Sequence, residues 1–154
     1  MDYESLNRRL GSLIAGTAPL SALSNAAALL YSELEEVSWV GFYILRGDTL
    51  VLGPFQGKPA CVEIKVGRGV CGSCVASSRA MLVDDVLSFP GHIACDPLSR
   101  SEIVVPVFSG GDVAAVLDID SYKPSRFTED DECGLTAVVE TVGSMFGTEL
   151  HKLI

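Results

Sequence analysis

Apolar residues at the start of the chain recur at helical spacing. Residues 3–15 predict a short helix, Thr17 and Pro19 break it, and Leu23, Ala27, Leu30 and Leu34 carry a second helix that Ser21 or Ser24 could cap. From Val37 the period changes to that of a strand: VSWVGFYIL is aromatic and β-branched, Gly47 and Asp48 signal a turn, and TLVLG answers as the second arm of a hairpin. Residues 61–66 (CVEIKV) alternate as a third strand, a short helical stretch follows over residues 70–78 among Gly67, Gly69 and Gly72, and MLVDD at 81–85 reads as another strand.

Residues 86–101, VLSFPGHIACDPLSRS, have no period and contain Pro90, Gly91 and Pro97. A loop of this length inside a compact domain is uncommon and is often functional. After it, EIVVPVF and VAAVLDIDS, joined across Ser109 to Asp112, predict a second hairpin. Thr128-Glu129-Asp130-Asp131 then reads as a capping box opening a helix to about His151. Helices at both ends around about six mainly antiparallel strands predict one α+β domain over residues 1–154, with no repeat or linker.

Composition narrows the classes. The 154 residues suffice to bury a core without disulfides, 48% are hydrophobic, and no apolar run approaches a membrane span. Eleven Lys and Arg against twenty Asp and Glu give a net charge of −9, which argues against nucleic acid and anionic membrane as partners. The first ten residues lack the pattern of a signal peptide, so the reducing cytoplasm is the expected compartment. There the five cysteines are more readily catalytic, redox-active or metal-binding than structural.

Cys95 lies in the anomalous loop, three residues after His92 and five before Arg100, either of which could lower its pKa. A small buried hydrophobe is the competing reading. Cys61 follows Gly57-Lys58-Pro59-Ala60, and Cys71 with Cys74 forms a CGSC, but its flanks are those of an antiparallel domain rather than a redox βαβ unit. Cys61, Cys71, Cys74, His92 and Cys95 could supply four zinc ligands, yet the paired knuckles of a structural zinc site are missing, and no metal is expected. Cys133 reads as packing.

Asp118 and Asp120 stand two apart on a strand and so share a face, with Glu102 on the partner strand. They form either a solvated face or, beside the Cys95 loop, an acid cluster in which burial and like charge create a proton donor. Trp39, Gly41 and Tyr43 share a face too, as a core plug or as the wall of a small-ligand pocket. These residues leave two functions open: a thiol redox enzyme, or a non-catalytic sensor that binds a small ligand.

Taken in order, SWVGFY, GPFQGKPAC, GVCG, DDV, FPGHIACD, SEIVVPV and LDIDS resemble the free methionine-(R)-sulfoxide reductases, which are single GAF domains, over about residues 30–150. The resemblance implies that Cys95 is the nucleophile, Cys61 resolves its sulfenic acid as a disulfide, and Cys71 is a second resolving or relay thiol. It further implies that Glu102, Asp118 and Asp120 hold the substrate and protonate the departing oxygen, while Trp39 and Tyr43 receive the S-methyl end. No bound cofactor is implied; a thioredoxin and NADPH system would serve as external reductant. A homodimer is common in the family. Cys74 departs from the family pattern and could compete as the resolving thiol.

Overall fold

A computed structural model describes residues 1–93 and 95–154. Two N-terminal helices, α1 (Tyr3–Ile14) and α2 (Pro19–Glu33), precede the hairpin of β1 (Trp39–Arg46) and β2 (Thr49–Gln56). Next come β3 (Glu63–Lys65), α3 (Gly69–Ser77) and β4 (Met81–Val83), then the hairpin of β5 (Ser101–Ser109) and β6 (Asp112–Ser121), and finally α4 (Glu129–Phe146). The six strands form one sheet in the order β3-β2-β1-β6-β5-β4, and each adjacent pair is antiparallel. The expected α+β architecture is therefore observed.

Both faces of the sheet are covered, which explains why its central strands read as nearly continuous apolar runs. Alternation sends Val40, Phe42 and Ile44 of β1, Ile103, Val105 and Val107 of β5, and Leu117 and Ile119 of β6 against α1, α2 and α4. The opposite face carries Trp39, Tyr43, Val104 and Val116 and packs on Val70, Cys71 and Cys74 of α3. This smaller core borders a recess.

Several local expectations need correction. Neither Ser21 nor Ser24 caps α2: Ala18 stands at the cap, Pro19 takes the first turn because its missing N–H is not needed there, and Ser24 Oγ instead donates to the Leu20 carbonyl (2.8 Å). The third strand begins at Glu63 rather than Cys61, and the 86–101 loop contains a 3-10 turn at Val86–Ser88 capped by Asp85. The capping box at Thr128 and Asp131 forms as expected. The helix it opens ends at Phe146, however, and a separate 3-10 turn, Leu150–Leu153, tucks Leu150 into the core.

A recess between the sheet and the cysteine loops

Strand register assembles the acid cluster. On β6, Asp120 stands opposite Trp39 on one side and Glu102 on the other, while Asp118 stands opposite Gly41 and Val104. All of these positions face α3, as the period-2 spacing predicts. Glu102 and Asp118 are each only 6% exposed, and Asp120 is half-buried. From α3, Cys71 Sγ donates to Glu102 Oε1 at 3.9 Å, and the Cys71 sulfur and one carboxylate oxygen each of Glu102 and Asp118 lie within 4.8 Å of one another.

This crowding keeps protons bound. Burial, then the charges of Asp118 and Asp120, push the Glu102 carboxyl well above the ordinary carboxylate range. Burial and the neighbouring Asp118 and Asp96 do the same to Asp120. Asp118 is raised by burial alone, against the opposing hydrogen bonds from Glu102 and Cys71. The Cys71 thiol is pushed up by burial and by all three acids. Among the described residues Asp118 Oδ1 has no hydrogen-bond partner although it is buried. The cluster thus favours the protonated forms of its acids and leaves one buried carboxylate oxygen, Asp118 Oδ1, without a partner among the described residues.

Trp39 and Tyr43 form the adjoining wall. Both are buried; the indole stacks on Phe55 with centroids 5.3 Å apart and on Tyr43 at 6.0 Å. Their polar ends reach the cysteine loop: Trp39 Nε1 donates to the Lys58 carbonyl (3.0 Å) and Tyr43 Oη to the Cys61 carbonyl (2.9 Å). The core and ligand-wall readings are therefore not exclusive. The recess so formed opens to solvent and is also lined by Val70, His92, Ile93, Cys95 and Ser99.

Cys61 and Cys95 are joined as a disulfide at the mouth, with a Cα separation of 5.7 Å. Cys95 is exposed and lines the recess; Cys61 is half-buried. The zinc set considered from sequence is not brought together, because two of its thiols bond each other and Cys74 Sγ points to the Val104 carbonyl (3.9 Å). Burial pushes the Cys74 thiol up to about 12, which makes it a poor rival to Cys61 as the resolving thiol.

A GAF domain family model matches residues 18–146. The free methionine-R-sulfoxide reductase of Escherichia coli (strain K12) is 50% identical over 151 residues, 97% of this chain and 92% of that one. The chain belongs to the free methionine-R-sulfoxide reductase family. Solved members share its fold: the reduced form of fRMsr of Staphylococcus aureus has a TM-score of 0.90 at 46% identity, covering 94% of each chain. The Neisseria meningitidis free methionine-R-sulfoxide reductase in complex with its substrate has a TM-score of 0.91 at 39% identity, covering 99% of this chain and 92% of that one.

The groups around Cys95 and Cys133 differ in part from the sequence expectation. His92 lines the recess with Cys95, and burial lowers its pKa, which works against the positive charge expected of it. Arg100 turns toward Asp85 instead (3.9 Å). Cys133 is exposed on α4 rather than packed. Sequence reading also passed over Phe55, Ile93 and Ser99. Phe55 was the recoverable one, since hairpin pairing places it opposite Gly41, where a glycine leaves space for stacked rings.

Proposed function

We propose that this chain reduces free L-methionine-(R)-sulfoxide to methionine, with Cys95 as nucleophile and Cys61 as resolving thiol. The observation that carries the reading is the Cys61–Cys95 bond at the mouth of a recess floored by Glu102, Asp118 and Asp120. A redox-active pair beside an acid cluster is what sulfoxide reduction requires. It is also the arrangement expected of a relative of the Escherichia coli and Neisseria meningitidis reductases.

The substrate's ammonium group pairs with the acids, where Asp118 Oδ1 has an acceptor to spare. Its carboxylate lies toward the start of α3, whose Arg68 cap makes no side-chain hydrogen bond and whose Gly69 and Val70 line the recess. The S-methyl end rests on Trp39 and Tyr43. A residue inside a polypeptide has no free ammonium group, so the acids select the free amino acid.

Cys95 attacks the sulfoxide sulfur, and the oxygen is a poor leaving group until protonated. Glu102, kept protonated by burial and its acidic neighbours, donates that proton and is restored by the one Cys95 gives up. Cys95 thiol and sulfoxide thus become Cys95 sulfenic acid and methionine. The Cys61 thiol then displaces water to form the disulfide, which a cytosolic dithiol protein of the thioredoxin class, fed by NADPH, reduces. Cys71, buried and held neutral, serves as a slow second thiol. The recess functions without a metal or bound cofactor, and residues 1–154 act as one domain.

NADPH consumption through thioredoxin and its reductase tests this with free methionine-(R)-sulfoxide, the S epimer and a peptide-bound R sulfoxide. Turnover of the free R form alone, lost in Cys95→Ser, is expected. No turnover while the reductant is working would leave a ligand-binding GAF module in its place.

A further inference from the structure

Tyr122 stands just beyond β6, outside the recess and two residues from Asp120. Its hydroxyl donates to Asp96 Oδ2 at 2.8 Å, and Asp96 follows Cys95 directly. The other carboxylate oxygen, Oδ1, accepts from the Leu98 N–H (3.0 Å), so the group that follows the nucleophile is held at both ends. Lys58 Nζ lies 5.6 Å from the centroid of the same tyrosine ring, and Lys58 belongs to the loop that carries Cys61. One side chain therefore touches both loops whose sulfurs must meet.

The foundation of Tyr122 is rigid. The preceding Ser121 is fully buried, its Oγ donates to the Glu36 carbonyl (2.5 Å) and accepts from the Lys123 N–H (3.0 Å), and the Arg100 N–H donates to the Ser121 carbonyl (2.8 Å). The last of these bonds also ties the end of the Cys95 loop to β6. By contrast the tyrosine itself is 43% exposed, so its hydroxyl can be removed without opening a cavity in the core.

We propose that Tyr122 is a positioning residue for disulfide closure, holding the Cys95 loop through Asp96 at the distance from Cys61 that the S–S bond needs. The inference rests on the reading of Cys95 and Cys61 given above. In the step concerned, the Cys61 thiolate attacks the sulfenyl sulfur of Cys95, the S–O bond breaks, and hydroxide leaves with a proton as water. Cys61 is oxidised, the Cys95 sulfenyl sulfur is reduced, and no outside reagent enters. Holding the two loops together raises the effective concentration of one sulfur at the other, which acts on closure and not on the attack that makes the sulfenic acid.

The test uses Tyr122→Phe, which keeps the ring under Lys58 and removes only the hydroxyl. The disulfide is equilibrated with a thiol–disulfide buffer, a measurement that involves no sulfoxide. The equilibrium should move about fivefold toward the dithiol, the ratio one solvent-accessible hydrogen bond supports. With substrate and no reductant, the variant should release methionine and accumulate a sulfenic acid that a diketone reagent traps before the disulfide closes. Asp96→Ala should reproduce both effects, Asp96→Asn, which still accepts, should restore part of them, and Tyr122→Phe with Asp96→Ala should add nothing further. An unchanged equilibrium and unchanged trapping, or additive effects in the double variant, would overturn the proposal. Failure of the wild type to release methionine, with the equilibrium shift intact, would count against the proposed substrate instead.

Discussion

Trp39 lies folded over Gly41 on the recess face of β1. A Cβ added at Gly41 would stand 2.5 Å from Phe55 Cβ and collide with the far edge of the indole. The glycine is therefore what lets the ring stack between Phe55 and Tyr43. Gly41→Ala should push the indole into the recess, raising KM for methionine sulfoxide about tenfold and costing roughly 1–3 kcal/mol of stability, as overpacking does. Trp39 is the only tryptophan, so its emission reports the displacement directly, and an unchanged spectrum with unchanged KM would refute the account.

The thiols differ sharply in reach. In protein reduced and then diluted into native buffer, Cys133 and Cys95, both exposed, should be alkylated first. Cys71 and Cys74, buried and with raised pKa values, should react last, by at least an order of magnitude. Peptide mass mapping after timed iodoacetamide exposure gives the order. Early labelling of Cys71 would mean that its contact with Glu102 does not hold the thiol neutral.

Much of this was legible because strand alternation is a strict rule. Once Asp118 and Asp120 are placed on one strand, their shared face follows, and the hairpin through Gly110 and Gly111 brings Glu102 across from Asp120. What the sequence does not encode locally is how loops far apart in the chain meet. That Cys74 turns inward while Cys71, one helical turn away, faces the acids depends on how α3 sits against β5. The role of Tyr122 was hidden for the same reason, since its partners Asp96 and Lys58 lie 26 residues away and in a different loop. Caps are intermediate: the Thr128 box is a local motif and was readable, whereas α2 begins at a proline with no side-chain cap.

Asp118 should act mainly on binding. Its unpartnered Oδ1 is the acceptor available to the substrate's ammonium group, and a charge-assisted hydrogen bond in a buried setting is worth about 1.5–3 kcal/mol. Asp118→Asn should therefore raise KM roughly 10–100-fold, with a smaller loss in kcat. N-acetylmethionine-(R)-sulfoxide, which has no ammonium group, should be a poor substrate of the wild type and should lose little more in the variant. Equal losses for both compounds would show that Asp118 acts elsewhere.

Two buried acids of opposite sign should shape stability against pH. At Asp131, burial raises the pKa, but hydrogen bonds from Tyr3 Oη (2.6 Å), the Thr128 N–H (2.9 Å) and the Arg126 guanidinium outweigh it and hold the group below the usual carboxylate range. Its stabilisation is present above the unfolded pKa and is lost as pH falls through the lowered folded one. Glu102 runs the other way: its raised folded pKa gives stability that is complete below the unfolded pKa and is lost as pH rises toward the folded value. On these two groups the thermal midpoint should thus peak near the unfolded carboxylate pKa values, about pH 4, and fall as pH rises toward neutrality. Glu102→Gln should flatten the alkaline limb and raise the midpoint at pH 8, by roughly 2–4 °C for each kcal/mol relieved in a chain of this size, while abolishing most turnover. Asp131→Asn should weaken the fold at neutral pH and flatten the acid limb. A Glu102→Gln variant that melts lower than the wild type at pH 8 would mean that the acid cluster stabilises the fold, and the proton store inferred for catalysis would lose its physical basis.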